Sequence, residues 1–375
     1  MKLLFIGNVG YRFNSFVLSS ALAAQQLGIE FHVAGSWTGY ENTQDKMADE
    51  EKYGVTIHQI DFIRAPYDPR NLKAYRQVVD LINKEQFDVI HCNTPIGGVV
   101  GRLAGKKCKV KKIIYEAHGF HFYTGAPKQN WLIYYPIEKW LAHKTDALIT
   151  INKEDYERAQ KKFHLRNNGK VYYVPGVGID LASYASSFSK LRKQLRAELG
   201  LAEDDVICIS AGDLNTNKNN GIIIEALKQL RDSKIHYIVC GEGPLKAKLE
   251  SEAQNLPVHF LGYRQDIKEL LIASDVFVMP SYREGLSRSI MEAMASGLPC
   301  LVSKIRGNTD LIVDDKGGYV IAPEDIDGWT NALKKISSDV LLRNQFGQYN
   351  KERISRFDLT HVVSELKEIY RKEIG

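Results

Sequence analysis

The sequence predicts an α/β protein made of two Rossmann-like doubly wound domains that face each other across a cleft. The chain of 375 residues exceeds what one hydrophobic core usually organises, so two domains of ordinary size are expected. Short β-branched and apolar runs alternate with amphipathic segments long enough for helices, which favours parallel sheets built from βαβ units. A turn-rich break at Pro175-Gly176-Val177-Gly178 divides this alternation into two series.

The first domain is predicted to span residues 1–178. Its predicted strands are residues 3–6, 31–34, 89–92, 112–116, 147–151 and 171–174. A linker is expected over residues 179–201, with a basic helix around 190–199.

The second domain is predicted to span residues 202–357. Its predicted strands are residues 206–211, 236–240, 258–261, 276–279 and 300–303, and its predicted helices are residues 221–230, 244–254 and 287–295. A C-terminal helix is expected over residues 358–375, because Val362, Val363, Leu366, Ile369 and Tyr370 form one apolar stripe. Ligands of open α/β sheets bind beyond the carboxyl ends of the strands, so the active site is expected between the domains.

Composition narrows the functional class. Hydrophobic residues make up 44% and charged residues 25%, which is typical of a folded globular chain. No apolar stretch approaches the roughly 20 residues that a spanning helix needs, and the short apolar run at the N-terminus lacks a cleavage site. The five cysteines form no Cys-x-x-Cys pair, which is typical of a reduced cytosolic protein without a zinc site. We therefore expect a cytoplasmic protein.

The positive charge is concentrated in the first half of the chain. Residues 1–180 hold 24 Lys and Arg against 18 Asp and Glu, or +6, which leaves 26 against 27, or −1, for the remainder. Five lysines lie within seven residues: Lys106, Lys107, Lys109, Lys111 and Lys112. Such a cluster is a solvated loop or a contact for an anionic surface, and the net charge of +5 is too small to indicate nucleic-acid binding.

The most informative stretch is residues 280–299, which follow a buried strand and open into a helix. Glu284 lies on the loop, and Glu292 lies eight residues later, about two helical turns on. Either glutamate alone is commonly a cap or a dipole partner. Together with the turn at Gly285 and the free N–H groups of a helix start, they suit a ligand that carries both hydroxyls and phosphates. A nucleotide sugar carries both.

This stretch resembles the retaining GT-B glycosyltransferases that build bacterial exopolysaccharide, capsule and lipid-linked glycans. The family's hallmark is a pair of glutamates with seven residues between them, followed by Ala-Met-Ala-x-Gly-x-Pro, and it is matched by Glu284, Glu292, residues 293–295, Gly297 and Pro299. The resemblance covers nearly the whole chain. Further matches fall in the family's order at residues 241–244, 260–264 with Asp266, and 274–275.

The resemblance implies roles for a donor-binding set in the second domain. Glu284 addresses the donor sugar, and Glu292 addresses the ribose. Tyr263 and Arg264 lie near the base, and Lys218 binds the diphosphate. Leu286, Ser287 and Arg288 complete the donor set at the start of the helix.

One position departs from the family. Its arginine in Gly-Arg-Leu-x-x-x-Lys is replaced here by Asp213, and a carboxylate does not bind phosphate. Another cation then serves with Lys218, or the activity is weak. Arg288 is either that cation or a solvent-facing side chain.

The resemblance implies that the first domain binds the acceptor and the second binds the donor. In the first domain, it places His118 beside the transferred sugar. Residues 7–10, Gly-Asn-Val-Gly, resemble a glycine turn at which donor phosphates approach the backbone, through Gly7 and Gly10. The pair His118 and His121 could suggest a metal site, but the sequence does not show that His91 or another third ligand lies near the pair. Asp325-Ile326-Asp327 is better explained as a helix cap than as a metal motif. No metal and no cofactor are therefore expected.

The expected reaction moves a sugar from a UDP-sugar to a polyprenyl-diphosphate-linked or polysaccharide-precursor acceptor, with retention of configuration. Residues 126–144 are rich in tryptophan, tyrosine and lysine, which is typical of a helix that enters the headgroup region on the inner face of the membrane. Packing of this segment against the C-terminal helix is the alternative. A nucleotide-sugar 2-epimerase and a non-catalytic sugar-nucleotide-binding protein are the alternative functions.

Overall fold

The computed structural model describes residues 1–40, 42–65, 67–184, 189–198 and 200–375. Its contacts divide the chain into two compact units. The first comprises Met1–Gly178 with Leu359–Gly375, and the second comprises Ile179–Asp358. Each unit is built on one parallel sheet, so the prediction of two parallel-sheet α/β domains is confirmed.

The first sheet has seven described strands in the order β3-β2-β1-β4-β5-β6-β7. They are β1 Lys2–Gly10, β2 Glu30–Trp37, β3 Thr56–Gln59, β4 Val89–Asn93, β5 Lys112–Ala117, β6 Ala147–Thr150 and β7 Lys170–Tyr173. The direction of winding reverses between β1 and β4, which creates the switch point where open sheets bind ligands. The short edge strand β3 was not predicted.

Helices cover both faces of this sheet. They are α1 Ser15–Gln25, α2 Thr43–Tyr53, α3 Asn71–Glu85, α4 Pro95–Lys107, α5 Lys128–Ala142 and α6 Lys153–Lys162. Successive residues of β1 alternate between two cores, because side chains of a strand point to opposite faces. Leu4 and Ile6 enter the core beneath α3 and α4, whereas Leu3 and Phe5 enter the core beneath α1.

The second sheet has six described strands in the order β10-β9-β8-β11-β12-β13, with its switch point between β8 and β11. The strands are β8 Val206–Ala211, β9 Ile235–Cys240, β10 Val258–Gly262, β11 Val276–Met279, β12 Cys300–Ser303 and β13 Gly318–Ile321. The helices are α7 Ser189–Glu198, α8 Gly221–Leu230, α9 Lys246–Glu252, α10 Ile267–Ala273, α11 Arg288–Ala295, α12 Asn308–Leu311, α13 Ile326–Ser338 and α14 Val340–Ile354. The edge strand β13 was not predicted.

The segment expected to be a linker, residues 179–201, belongs to the second unit by its contacts. The reason lies in α7, which packs on α10 and whose Arg192 and Arg196 both pair with Asp275, at 2.5 and 3.2 Å. The predicted basic helix corresponds to α7. Residues 185–188 and Leu199, which fall within the predicted linker, lie outside the described residues.

The last helix, α15 Leu359–Ile374, returns to the first unit and packs on α1. Its apolar stripe completes the core that Leu3 and Phe5 enter, and Tyr370 is fully buried there. Residues 358–375 therefore form part of the first domain rather than a separate segment.

Helix α5 packs on the opposite face of the first sheet from α15. Its aromatic side chains Trp131, Tyr134 and Tyr135 contact the core beneath α3 and α4. The alternative of packing against the C-terminal helix is therefore wrong, because the sheet lies between the two helices. The outer side of α5 is apolar and exposed at Leu132, Ile133, Ile137 and Trp140.

Candidate functional site

The second unit brings Lys218 and Glu284 together at its switch point. Lys218 lies on the loop after β8, and Glu284 lies on the loop after β11, the adjacent strand. The Lys218 Nζ atom donates a hydrogen bond to Glu284 Oε1 at 2.8 Å. The two side chains are 21% and 15% exposed, so the pair lies within reach of a ligand from solvent.

Backbone contacts between the two loops fix this pair. The Asn217 carbonyl accepts a hydrogen bond from the Tyr282 N–H at 2.8 Å, and the Asn217 side-chain amide donates to the Arg283 carbonyl at 3.0 Å. Gly212 provides space, because a Cβ atom there would lie 3.1 Å from Lys218 Cε. The sequence did not indicate that Asn217 joins the loops, and its position next to Lys218 was the one available signal.

Glu292 lies one turn into α11 and pairs with Arg288. Arg288 Nε donates to Glu292 Oε1 at 2.9 Å, and the Glu292 side chain is 18% exposed. Ser287 caps the helix by accepting a hydrogen bond from the Ile290 N–H, and Leu286 lies beside it, half-buried. The structure thus pairs Arg288, the cation considered as a substitute for the family's arginine, with Glu292. Asp213, which occupies the position of that arginine, is exposed after Gly212.

Tyr184 is a neighbour of Glu292 that sequence reasoning missed. It lies in a 3₁₀ turn at Leu181–Tyr184, inside the segment expected to be a linker. Burial raises the pKa of the Tyr184 phenol, and the negative charge of Glu292 raises it further. The phenol is therefore a neutral hydrogen-bond donor beside the candidate ribose-binding carboxylate.

Tyr263 and Arg264 lie together after β10, at the same edge of the sheet. Their loop joins the one after β9 through a hydrogen bond from the Gly241 N–H to the Gly262 carbonyl at 2.7 Å. Tyr263 is 75% exposed, so its ring is open to a base. Arg264 instead binds its neighbour Asp266, with Nε donating to Oδ1 at 2.7 Å.

In the first unit, His118 lies just beyond β5 and belongs to a buried cluster. The Glu116 carboxylate stands between two imidazoles, with Oε2 3.3 Å from His91 Nε2 and Oε1 3.5 Å from His118 Nε2. His91 Nδ1 lies 2.6 Å from the Tyr370 hydroxyl, which comes from α15. This cluster is called the histidine–glutamate cluster below.

Burial controls ionisation in the histidine–glutamate cluster. Burial alone would raise the pKa of Glu116, but His118 and His91 beside it bring that pKa below its ordinary value. Burial lowers the pKa of His118, and Glu116 offsets this only in part. At neutral pH the cluster therefore contains one carboxylate and a neutral His118.

Residues 7–10 were expected to form a glycine turn, and this prediction is wrong. Gly7 and Gly10 both lie in β1, and the register with β2 shifts between Ile6 and Val9. Neither glycine is among the residues with positive φ. A Cβ on Gly10 would meet the Trp37 ring at 3.0 Å, so packing explains that glycine. The two glycines mark an irregular strand end at the switch point.

The remaining metal candidates have other partners. The His121 ring packs on Tyr134 with 4.6 Å between ring centroids. Asp325 caps α13 by accepting a hydrogen bond from the Gly328 N–H at 2.9 Å, as predicted. Among the described residues, no group of three or more His, Cys, Asp or Glu side chains is arranged to hold a metal ion.

Family models match both halves of the chain. A model described as Glycosyl transferase 4-like matches residues 2–152, and one described as Glycosyl transferases group 1 matches residues 192–353. EpsD of Bacillus subtilis (strain 168), which carries a glycosyltransferase name, is 36% identical over 98% of this chain and 96% of its own length.

A second relative and one solved structure extend these matches. The UDP-Gal:alpha-D-GlcNAc-diphosphoundecaprenol alpha-1,3-galactosyltransferase of Escherichia coli is 30% identical over 86% of this chain and 87% of its own length. HepE of Anabaena, solved in complex with UDP-glucose, superposes with a TM-score of 0.80 at 20% identity, over 99% of this chain and all of HepE. The HepE match concerns the fold.

Proposed function

Because this chain belongs to the GT-B glycosyltransferases of the bacterial exopolysaccharide type, we propose that it transfers a sugar from a UDP-sugar to a lipid-linked or polysaccharide-precursor acceptor. The chain is a transferase that acts on sugars. The donor nucleotide, the acceptor and retention of anomeric configuration are the proposed part. The observation that carries it is the Lys218–Glu284 pair at the switch point of the second sheet.

When the donor binds, the hydrogen bond between Lys218 and Glu284 would be replaced by contacts of each side chain with the donor. Lys218 binds the diphosphate, where its ammonium offsets the charge that develops as the diphosphate leaves. The first N–H groups of α11 assist, because a helix N-terminus favours an anion. Glu284 then accepts hydrogen bonds from hydroxyls of the donor sugar. The leaving phosphate takes the proton of the acceptor hydroxyl on the same face of the sugar, which retains the configuration.

Glu292 and Tyr263 would hold the nucleoside. Glu292 contacts Arg288 through Oε1, and a ribose hydroxyl would donate to Oε2, in line with the carboxylate's capacity for several donors. The exposed Tyr263 ring offers a stacking surface for the uracil base. HepE, which shares the fold, is solved with UDP-glucose, which supports uridine as the nucleoside.

The lipid-linked acceptor is supported by the name of the Escherichia coli relative, which acts on a diphosphoundecaprenol sugar. Such a substrate is membrane-bound, and α5 carries a surface suited to a membrane. Leu132 is 77% exposed and Trp140 is 52% exposed, with Ile133 and Ile137 between them. Lys144 Nζ lies 3.7 Å from the centroid of the Trp140 ring, which places a cation at the edge of the apolar surface.

The segment with five lysines, residues 106–112, runs from the end of α4 to the start of β5 and so lies at the amino ends of the strands. Lys106, Lys109, Lys111 and Arg166 line one recess there. Lys111 pairs with Asp88 at 3.0 Å, and Lys112 pairs with Glu373 at 3.1 Å. The other three lysines of the segment are exposed. We therefore propose that α5 and these three lysines dock the first unit on an anionic membrane. No helix in the described part of the chain is long and apolar enough to cross a bilayer.

The experiment that tests the proposed function incubates the protein with a panel of UDP-sugars and an undecaprenyl-diphosphate-linked sugar. Mass spectrometry should show an acceptor one sugar longer, and proton NMR of the product should show the anomeric configuration of the donor. Free sugar without an elongated acceptor would contradict transfer and favour the epimerase alternative. Inversion would contradict retention.

We also propose that the reaction needs no metal, since the donor diphosphate would bind Lys218 and helix N–H groups rather than a metal ion held by protein ligands. Activity in excess EDTA should match the untreated activity. Loss of activity in EDTA with recovery on addition of Mn²⁺ would contradict a metal-free reaction.

A further inference from the structure

The histidine–glutamate cluster joins three adjacent parts of the first unit. His91 is the third residue of β4, and Glu116 is the fifth residue of β5, the neighbouring strand. Tyr370 reaches them from α15, which is 279 residues from His91 along the chain. His91 and Tyr370 have no exposed surface, and Glu116 is 3% exposed. A buried polar cluster of this kind is costly unless its members satisfy one another.

The protons in the cluster can be assigned by elimination. His91 Nε2 lies 3.3 Å from Glu116 Oε2 without meeting hydrogen-bond geometry, and a lone pair there would face the negative carboxylate, so we assign the proton to Nε2. An imidazole whose single N–H is at Nε2 has a lone pair at Nδ1, which can accept a hydrogen bond. The donor to Nδ1 is then the Tyr370 hydroxyl at 2.6 Å. Burial raises the pKa of Tyr370, which keeps this phenol protonated.

The same rule applies to His118. Its Nε2 lies 3.5 Å from Glu116 Oε1, a contact that does not meet hydrogen-bond geometry, but a lone pair there would face the negative carboxylate. We therefore assign the proton to Nε2 and a lone pair to Nδ1. The side chain is 18% exposed, more than any other member of the cluster, and it lies at the carboxyl end of β5. Phe16 packs on the ring with 5.8 Å between centroids, which limits its rotation.

We infer that Glu116, itself held by His91 and Tyr370, is a positioning residue that fixes the His118 imidazole with Nε2–H inward and Nδ1 available to accept a hydrogen bond from a substrate hydroxyl. The inference rests on the proposed function in one respect, namely that His118 contacts substrate. Glu116 acts through His118 and touches no substrate. Tyr370 makes α15 part of this arrangement.

The rival explanation is that the cluster only attaches α15 to the sheet. The two explanations differ in what they say of His118. A structural attachment requires His91 and Tyr370 and places no condition on the His118 tautomer. Positioning requires one tautomer of His118, and it requires that tautomer to depend on Glu116.

The first test uses the wild-type protein without any substrate. Its histidine side chains are labelled with nitrogen-15, and long-range nitrogen–proton correlation spectra assign the protonated nitrogen of each ring, with His118→Gln identifying the His118 signals. We expect His118 to be protonated at Nε2 from pH 7 to 8. Protonation at Nδ1 would overturn the inference. This result does not depend on which donor the enzyme uses.

The second test compares variants. Glu116→Gln should lower kcat about 10- to 100-fold and change the donor KM less than twofold, because an amide no longer selects the tautomer. Asp146→Asn is the matched control. Asp146 is a buried carboxylate of the same unit that accepts the Ile113 N–H at 2.8 Å and pairs with Arg166, far along the sheet from His118. The control should change stability but neither kcat nor the His118 spectrum.

Tyr370→Phe keeps the ring in its core and removes only the hydroxyl. It should lower kcat about fivefold and shift the His91 nitrogen signals, and it decides the matter if Glu116→Gln does not fold. Wild-type kcat in both folded variants would overturn the inference. If the wild-type protein transfers no sugar at all, the proposed function fails, while the His118 tautomer still decides this inference.

Discussion

The two units hold their candidate site carboxylates in opposite ways. Glu116 in the first unit is 3% exposed and lies between imidazoles. Glu284 and Glu292 in the second unit are 15% and 18% exposed and pair with Lys218 and Arg288. Buried polar groups are costly to separate, whereas partly exposed ion pairs contribute little and exchange partners readily. Under the proposed function, the first unit would present a preformed site, and the second would present groups that the donor rearranges.

The largest expected effect concerns Glu284, one of the two partly exposed carboxylates of the second unit. Glu284→Gln should lower kcat about 100- to 1,000-fold while the Kd for UDP changes little, because Glu284 is assigned to the sugar and not to the nucleotide. Steady-state assays and calorimetry measure the two quantities. Glu225→Gln is the control, since Glu225 also pairs with a lysine, Lys228 at 2.6 Å, on an outer helix. A kcat of the Glu284→Gln enzyme within twofold of the wild-type value would show that Glu284 does not act in the reaction.

A difference in surface charge between the units gives the next effect. Changing Lys106, Lys107 and Lys109 to Gln should weaken binding to anionic vesicles at low salt by up to about 100-fold, since each lysine near such a surface contributes about 1 kcal/mol. Cosedimentation at low and high salt measures it. The wild-type binding should fall with salt but persist through the apolar face of α5.

The control for the membrane prediction removes the same charge from the second unit. Lys193, Lys228 and Lys248 are exposed lysines of that unit. Changing them to Gln should leave vesicle binding unchanged. Wild-type protein that stays in the supernatant at low salt would contradict membrane docking and favour a soluble acceptor.

A smaller effect concerns the ribose. Glu292→Ala should raise the Kd for UDP about tenfold, because a hydrogen bond to a charged group is lost and tenfold corresponds to about 1.4 kcal/mol. Calorimetric titration with UDP, without any sugar, measures it. Equal affinity in wild type and variant would refute the assignment of Glu292 to the ribose.

The smallest effect concerns acid stability in the first unit. Burial lowers the pKa of His118, so below its unfolded pKa of about 6.5 the unfolded chain binds more protons than the folded one. Stability is therefore lost as the pH falls from about 6.5 toward the folded pKa. His118→Gln should make this loss smaller, a difference of a few degrees in midpoint temperature.

The acid-stability measurement can be confined to the first unit. Trp329 is the one tryptophan in the sequence of the second unit, and Trp37, Trp131 and Trp140 belong to the first. In a Trp329→Phe background, tryptophan fluorescence during thermal unfolding therefore reports on the first unit alone. Equal pH dependence with and without His118 would show that its burial does not affect acid stability.

Much of this architecture could be predicted from the sequence because it is locally periodic. Most of the strands follow from apolar runs, whereas the roles of the 284–292 glutamate pair follow from the resemblance to the family. The edge strands β3 and β13 were missed, although β7, an edge strand of the same length that is also partly buried, was predicted. Their pairing with a neighbouring strand, rather than their own sequence, makes them strands.

The contacts that define the candidate site were harder to predict from the sequence. Lys218 and Glu284 were each assigned to a ligand, and their pairing required knowledge that β8 and β11 are adjacent. Tyr370 was correctly placed on an apolar stripe, but its hydroxyl contacts His91 across 279 residues. Periodicity identifies the buried face of a helix, but it does not identify which strand that face meets.

The return of α15 to the first unit has a consequence for biosynthesis. The chain leaves this unit at Gly178 and re-enters it at Leu359, so the ribosome must translate the whole second unit in between. At about 5–20 residues per second, this delay is roughly 10–40 s. During that interval one core lacks Val362, Leu366 and Tyr370, and its apolar surface is uncovered. The nascent first unit therefore exposes an apolar face until α15 emerges, even though its sheet is the first to be synthesised.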